Sequence, residues 1–137
     1  HNLERYENAR QSSKGESKMT DNIKEIALKA CDIINEKLGT DIVCLDITHM
    51  TVIADYFVIA SGRNPNHVKS LYDELEVKME EMGYPLIRSE GYAEGRWIVM
   101  DFAVIIVHLF YEPEREFYHL ERLWDDGGNR VAFEPKN

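Results

Sequence analysis

Two apolar runs with only two residues between them constrain this chain more than any other feature. Arg96-Trp97-Ile98-Val99-Met100-Asp101 and Val104-Ile105-Ile106-Val107-His108-Leu109-Phe110 flank Phe102-Ala103. Both are rich in the β-branched and aromatic residues that suit a pleated, half-buried surface. Strands this close in sequence predict a tight antiparallel hairpin. With a two-residue turn, Asp101 faces Val104, Val99 faces Ile106 and Trp97 faces His108. Side chains alternate across a strand. One face therefore carries Ile98, Met100, Ile105, Val107 and Leu109, wholly apolar and fit to pack against helices. The other carries Trp97, Val99, Asp101, Val104, Ile106, His108 and Phe110. That mixed face is either a second core layer with its Asp and His satisfied inside, or a binding surface of aromatics ringed by polar groups.

The remaining chain supplies what such a hairpin needs. Ile23, Ile26, Ala27, Ala30, Ile33 and Ile34 recur at helical spacing between Asn22 and Leu38. Asn22 and Glu25 resemble a capping box, and Gly39 suits the C-terminal cap. Strands are expected over 41–47 and 54–60. Asn64 and Pro65 then open a second helix with Val68, Leu71, Tyr72, Leu75, Met79 and Met82 on one side, ended by Gly83. Residues 85–89 read as an edge strand because of Pro85. Glu114 to Trp124 reads as one final helix, with Phe117, Leu120, Glu121 and Trp124 at helical spacing. The order α-β-β-α-β-β-β-α predicts an α/β domain, a mixed sheet flanked by helices. Residues 19–126 form that domain in this reading, 127–137 a fraying tail, and 1–18 a flexible or non-native extension before Met19.

Charge and chemistry narrow the function. The chain of 137 residues carries a net −9, and residues 1–18 hold four Lys/Arg against three Asp/Glu, so about −10 falls on 19–137. Phosphate backbones repel such a domain, so no direct DNA binding is expected, whereas a basic protein surface attracts it. No apolar run approaches the roughly 20 residues of a membrane span. Cys31 and Cys44 lack metal or redox spacing and read as buried free thiols, which fits a reducing, cytoplasmic setting. His49, His67, His108 and His119 show no zinc-binding pattern, so neither metal nor cofactor is expected. A nucleotidyltransferase site would need a Gly-Ser turn and paired carboxylates on one strand. Here the dipeptide is reversed, Ser61-Gly62, and Asp46 and Asp101 each stand alone.

The hairpin and the segment after it also carry a resemblance. Residues 96–110, followed by Glu114-Arg115-Glu116-Phe117-Tyr118-His119-Leu120-Glu121-Arg122-Leu123-Trp124, resemble the ribosomal silencing factor family, also called Iojap or RsfS. Its marks are a Trp-apolar-apolar-apolar-Asp strand, an apolar strand ending His-x-Phe, and an Arg-x-x-Tyr-x-Leu-Glu-x-Leu-Trp ending. The resemblance spans about 23–126. It implies a nucleotidyltransferase-like fold without the catalytic carboxylates. It implies further a non-enzymatic factor that binds protein fourteen of the large ribosomal subunit, blocks joining of the small subunit, and lowers translation when nutrients are short. The docking residues expected are Trp97, Asp101, His108 and Phe110 from the hairpin, with Arg115, Tyr118, Glu121 and Trp124 after it. The family usually has Gly-Asp where this chain has Ala103-Val104, and alanine enters left-handed backbone only at a cost of about 1 kcal/mol. Two other readings compete: an enzyme or nucleotide binder using Asp46, Asp55 and Asp101, and a plain self-associating module. A homodimer is compatible with either non-enzymatic reading.

Overall fold

In a computed structural model, which describes residues 22–135, the first helix forms as α1 (Ile23–Glu36). Asn22 caps it, its side-chain oxygen accepting from the backbone N–H of Lys24 and Glu25. The end differs from expectation. Exposed Leu38, not Gly39, takes the left-handed backbone, at φ 66°. Gly39 is needed for closeness instead, since a Cβ there would sit 2.3 Å from Ile34 Cγ2. The extension 1–18 and the start at Met19 lie outside the described residues.

Strands β1 (Thr40–Asp46) and β2 (Tyr56–Gly62) pair antiparallel. Helix α2 (Pro65–Glu81) follows, capped by Asn64 Oδ1 on the His67 N–H at 2.8 Å, with Pro65 in its first turn as predicted. Then come β3 (Arg88–Glu90), β4 (Trp97–Asp101) and β5 (Ile105–Tyr111), two short helices α3 (Glu112–Tyr118) and α4 (Leu120–Trp124), and β6 (Arg130–Val131). Among the described residues the sheet has six strands in the order β3-β4-β5-β2-β1-β6, of which only β2 and β5 pair in parallel. The α/β class, a mixed sheet flanked by helices, is the one expected.

Both faces of the sheet are covered. Ala27, Ala30 and Ile34 of α1 and Val68, Leu71 and Leu75 of α2 pack on Val58, Ile98, Met100, Val107 and Leu109. The opposite face holds a smaller cluster around Leu45, Phe57, Ile59, Ile106 and Phe110, closed by Leu120 and flanked by Trp97 and Trp124. Central β2 is buried along its whole length, as a strand sandwiched between two layers must be. Cys31 and Cys44 are free and buried between α1 and the sheet. A hydrogen bond to Cys44 and burial push the Cys31 thiol far up, so it stays protonated. No helix among the described residues is long and apolar enough to cross a membrane.

Four further readings need correction. The hairpin register is offset by two residues: Trp97 lies opposite Phe110, Val99 opposite His108 and Asp101 opposite Ile106. A one-residue slip would have exchanged the faces, but a two-residue slip preserves them, so the residues of the mixed face stay together. Val104 alone leaves it, because it lies in the turn and joins the helix-side core. The third correction is the last helix, which breaks at His119 (φ 51°, ψ 47°) into α3 and α4. Finally, Arg130–Val131 of the supposed tail pairs with β1 at Cys44 and Leu45.

The turn explains the register. Phe102 N–H donates to Ile105 C=O at 2.9 Å, Val104 N–H to Phe102 C=O at 3.0 Å, and Ala103 N–H to Asp101 Oδ1 at 2.8 Å. Ala103 sits in this buried γ-turn at φ 76°, a strained conformation for alanine. Ala103→Gly is expected to stabilise the protein by about 1 kcal/mol, because glycine enters that region freely. Urea unfolding checks this, and a destabilised variant would show that the alanine methyl packs well enough to outweigh its strain.

Candidate docking surface

The mixed face is organised as rows running across the sheet. Strand register places Trp97, Phe110, Ser61 and Thr40 in one row, Glu90, Val99, His108, Ile59 and Val43 in the next, and Arg88, Asp101, Ile106, Phe57 and Leu45 in a third. The aromatics interlock. Trp97 stacks on Phe110 at 4.9 Å, and Tyr118 from α3 meets Trp97 at 4.9 Å. Phe57 lies edge-on to both His108 and Trp124, each at 4.9 Å. Trp97, His108, Phe110, Tyr118 and Trp124, which the sequence nominated from two separate segments, are therefore brought together.

They are not equally available. Phe110 and His108 are buried and form the floor, while Trp97 and Trp124 are half-buried and Tyr118 is 49% exposed. Trp97 Nε1–H donates to His108 Nδ1 at 3.1 Å, so the His108 proton belongs on Nε2. That Nε2 is buried with no hydrogen-bond partner, and burial pushes the ring's pKa down to about 4, so His108 is neutral at physiological pH. Sequence reasoning missed two exposed neighbours. Phe117 is 77% exposed and edge-on to Tyr118, and Leu123 is 73% exposed. A single continuous helix would have aligned Phe117 with Leu120 and Trp124. The break at His119 turns it outward, and no residue in the segment announces that break.

Arg115 and Glu121 serve the surface from beneath. Arg115 is buried, and its Nε and Nη2 donate to Glu121 Oε2 at 3.1 and 2.8 Å. Its Nη1 donates to Ser61 Oγ at 2.8 Å. One side chain thus bridges the helix break and ties both helices to the end of β2. Burial alone would raise the Glu121 carboxyl, but the Arg115 hydrogen bonds and charge bring it below the usual range. Asp101 is 4% exposed. Its Oδ1 holds the turn through Ala103, whereas Oδ2 is buried without a hydrogen-bond partner. Burial raises its carboxyl above the ordinary value, against the lowering pull of the Ala103 N–H and the Arg88 charge.

The same geometry bears on the reading that groups Asp46 with Asp101. Two strands separate them, a spacing of roughly 14 Å, and the register sets them on opposite faces. Asp46 instead accepts from the Thr48 N–H and hydroxyl, which hold its carboxyl low. Among the described residues no group of three or more His, Cys, Asp or Glu is placed to hold a metal ion. A cavity of about 610 Å³ opens beside Ser61, but Ser61, Arg115 and Glu121 in its wall are already bonded to one another.

The molecule is thus a small α/β domain with clustered aromatics on one sheet face and exposed rings at the helix break, the residue types enriched at protein interfaces. The chain belongs to the ribosomal silencing factor family: the family model described as "Ribosomal silencing factor during starvation" matches residues 20–137. It is 36% identical over 104 residues to the ribosomal silencing factor RsfS of Bacillus subtilis, a match covering 76% of this chain and 86% of that one. A crystal structure of a protein from Chromobacterium violaceum superposes with a TM-score of 0.74 at 31% identity, covering 82% of this chain and 92% of the other. The mouse protein named mitochondrial assembly of ribosomal large subunit protein 1 is 30% identical over 96 residues, 67% of this chain and 42% of its own length.

Proposed function

We propose that this protein, in the cytoplasm, binds the large ribosomal subunit at protein fourteen and sterically blocks joining of the small subunit, lowering translation when nutrients are limiting. The observation that carries this reading is the aromatic surface of Trp97 and Tyr118, extended by exposed Phe117, on a family member of net charge −9. Large rings beside apolar anchors supply binding energy at a small cost in side-chain entropy. Exposed acidic side chains on the same short helix, Glu112 and Glu116, suit a basic ribosomal protein. The mechanism is occupancy, with no reaction and no cofactor. Co-sedimentation with separated subunits tests it: the protein should travel with large subunits and prevent their pairing with small ones. Failure to bind either subunit would overturn it.

Association should also depend on salt. Opposite charges accelerate encounter, and screening with a Debye length near 8 Å at physiological ionic strength weakens that steering. The on-rate measured by stopped flow is expected to fall severalfold between low and physiological salt. An unchanged on-rate would remove charge from the account.

A further inference from the structure

The mixed face does not end at the aromatic group. It runs on to the sheet edge, where Arg88, Ser89, Glu90, Val99 and Asp101 line a pocket of about 130 Å³ built from β3 and β4 residues alone. Asp101 enters its wall with one oxygen fixed and the other idle. Oδ1 accepts the Ala103 N–H, while buried Oδ2 accepts nothing. Buried acceptors of this kind are rare because each forfeits the hydrogen bonds it made with water. The turn offers no relief, since its N–H groups at Phe102, Ala103 and Val104 are all committed.

We propose that this pocket receives one cationic side chain, a lysine ammonium or an arginine guanidinium, from the basic protein on which the mixed face docks, with Asp101 Oδ2 as its acceptor. The proposal rests on the docking reading above and specifies what the partner must bring. The volume suffices, because a water molecule occupies only about 30 Å³ in the liquid. The charge is right as well. Arg88, opposite Asp101, is paired with Glu90, so this strip of two acids and one base keeps a net negative charge. A cation gains more than a neutral donor would, since charge-assisted hydrogen bonds are roughly twice as strong. The free carboxylate is thus preorganised by the turn, and docking supplies its missing partner.

Asp101→Asn is the discriminating variant. Its amide oxygen still accepts the Ala103 N–H, but an NH₂ replaces the idle oxygen and meets the incoming cation as a donor. Binding of the full chain to isolated large subunits is expected to weaken tenfold or more, with a melting temperature at or above that of the parent. A second measurement needs no variant. The Asp101 carboxyl, followed by ¹³C NMR against pH, should titrate about one unit or more lower in complex with purified protein fourteen, the size of shift an adjacent opposite charge produces. The charged or titratable groups facing it from the flanking strands, Arg88 and Glu90 on β3 and His108 a diagonal step away on β5, are followed in the same titration. Parental binding by Asp101→Asn, or an unmoved carboxyl in the complex, overturns the proposal. If Tyr118→Ala abolishes binding while Asp101→Asn does not, the docking face stands and the cation pocket falls. If the parent itself fails to bind, both fall.

Discussion

Tyr118→Ala should weaken binding to isolated large subunits by a factor of thirty or so, while moving the melting temperature by no more than about 2 °C. The size follows from the roughly 2 kcal/mol or more that a centrally placed tyrosine contributes to an interface. The selectivity follows from the ring's position. It touches Trp97 on one side and Phe117 on the other, but half its surface faces solvent, so little core packing is lost. Trp97→Ala is a poorer probe, because it also strips the Phe110 stack and the hydrogen bond to His108. Fluorescence anisotropy for binding and calorimetry for stability separate the two effects. A folded Tyr118→Ala variant that binds like the parent would move the interface away from this face.

The second large effect is on stability. Arg115→Ala leaves Glu121 partly buried without its cation and Ser61 without its donor, and removal of one partner from such a pair costs about 3 kcal/mol. For a domain of this size that corresponds to a fall in melting temperature of about 10–20 °C. Arg115→Lys should recover only part of the loss, since one ammonium cannot reproduce the planar fork that reaches Glu121 and Ser61 together. A double-mutant cycle with Glu121→Gln measures the coupling directly. A loss below about 1 kcal/mol would mean that the bridge is no stronger than an exposed ion pair.

How legible this was depended on the range of the interaction. Helix starts at Asn22 and Asn64 were readable, because a cap is decided by residues within one turn. Face assignments in β4 and β5 were readable too, since alternation survives an error of two in register. The register itself was not, because it is set by a turn whose Val104 carbonyl is anchored by the N–H groups of Asp55 and Tyr56, far away in sequence. The break at His119 likewise depends on distant Ser61, through Arg115. Asp101 was expected among the docking residues, yet it is 4% exposed, because its Oδ1 is drawn inward to hold the Ala103 N–H of the turn. Asn129 was the hardest to foresee: its side-chain amide donates to the backbone oxygens of Asp46 and Trp124, fastening the segment before β6 to the sheet and to α4. An isolated Asn in a Gly-rich stretch gives no hint of that.

The single parallel seam has a consequence for how the molecule comes into being. Hairpins β1–β2 and β4–β5 are local and can close quickly, but Tyr56 must find Ile105 before they join. Closing so long a loop is the slow, entropically costly step in such topologies. Both hydrophobic layers draw on β2 and β5, so neither is complete until that seam zips. During synthesis the first half of the chain must therefore wait, its strand β2 lacking its parallel neighbour and the layer over Phe57 and Ile59, until β5 has followed β4 off the ribosome. The surface proposed to grip a ribosome thus forms only once β5 has paired with β2.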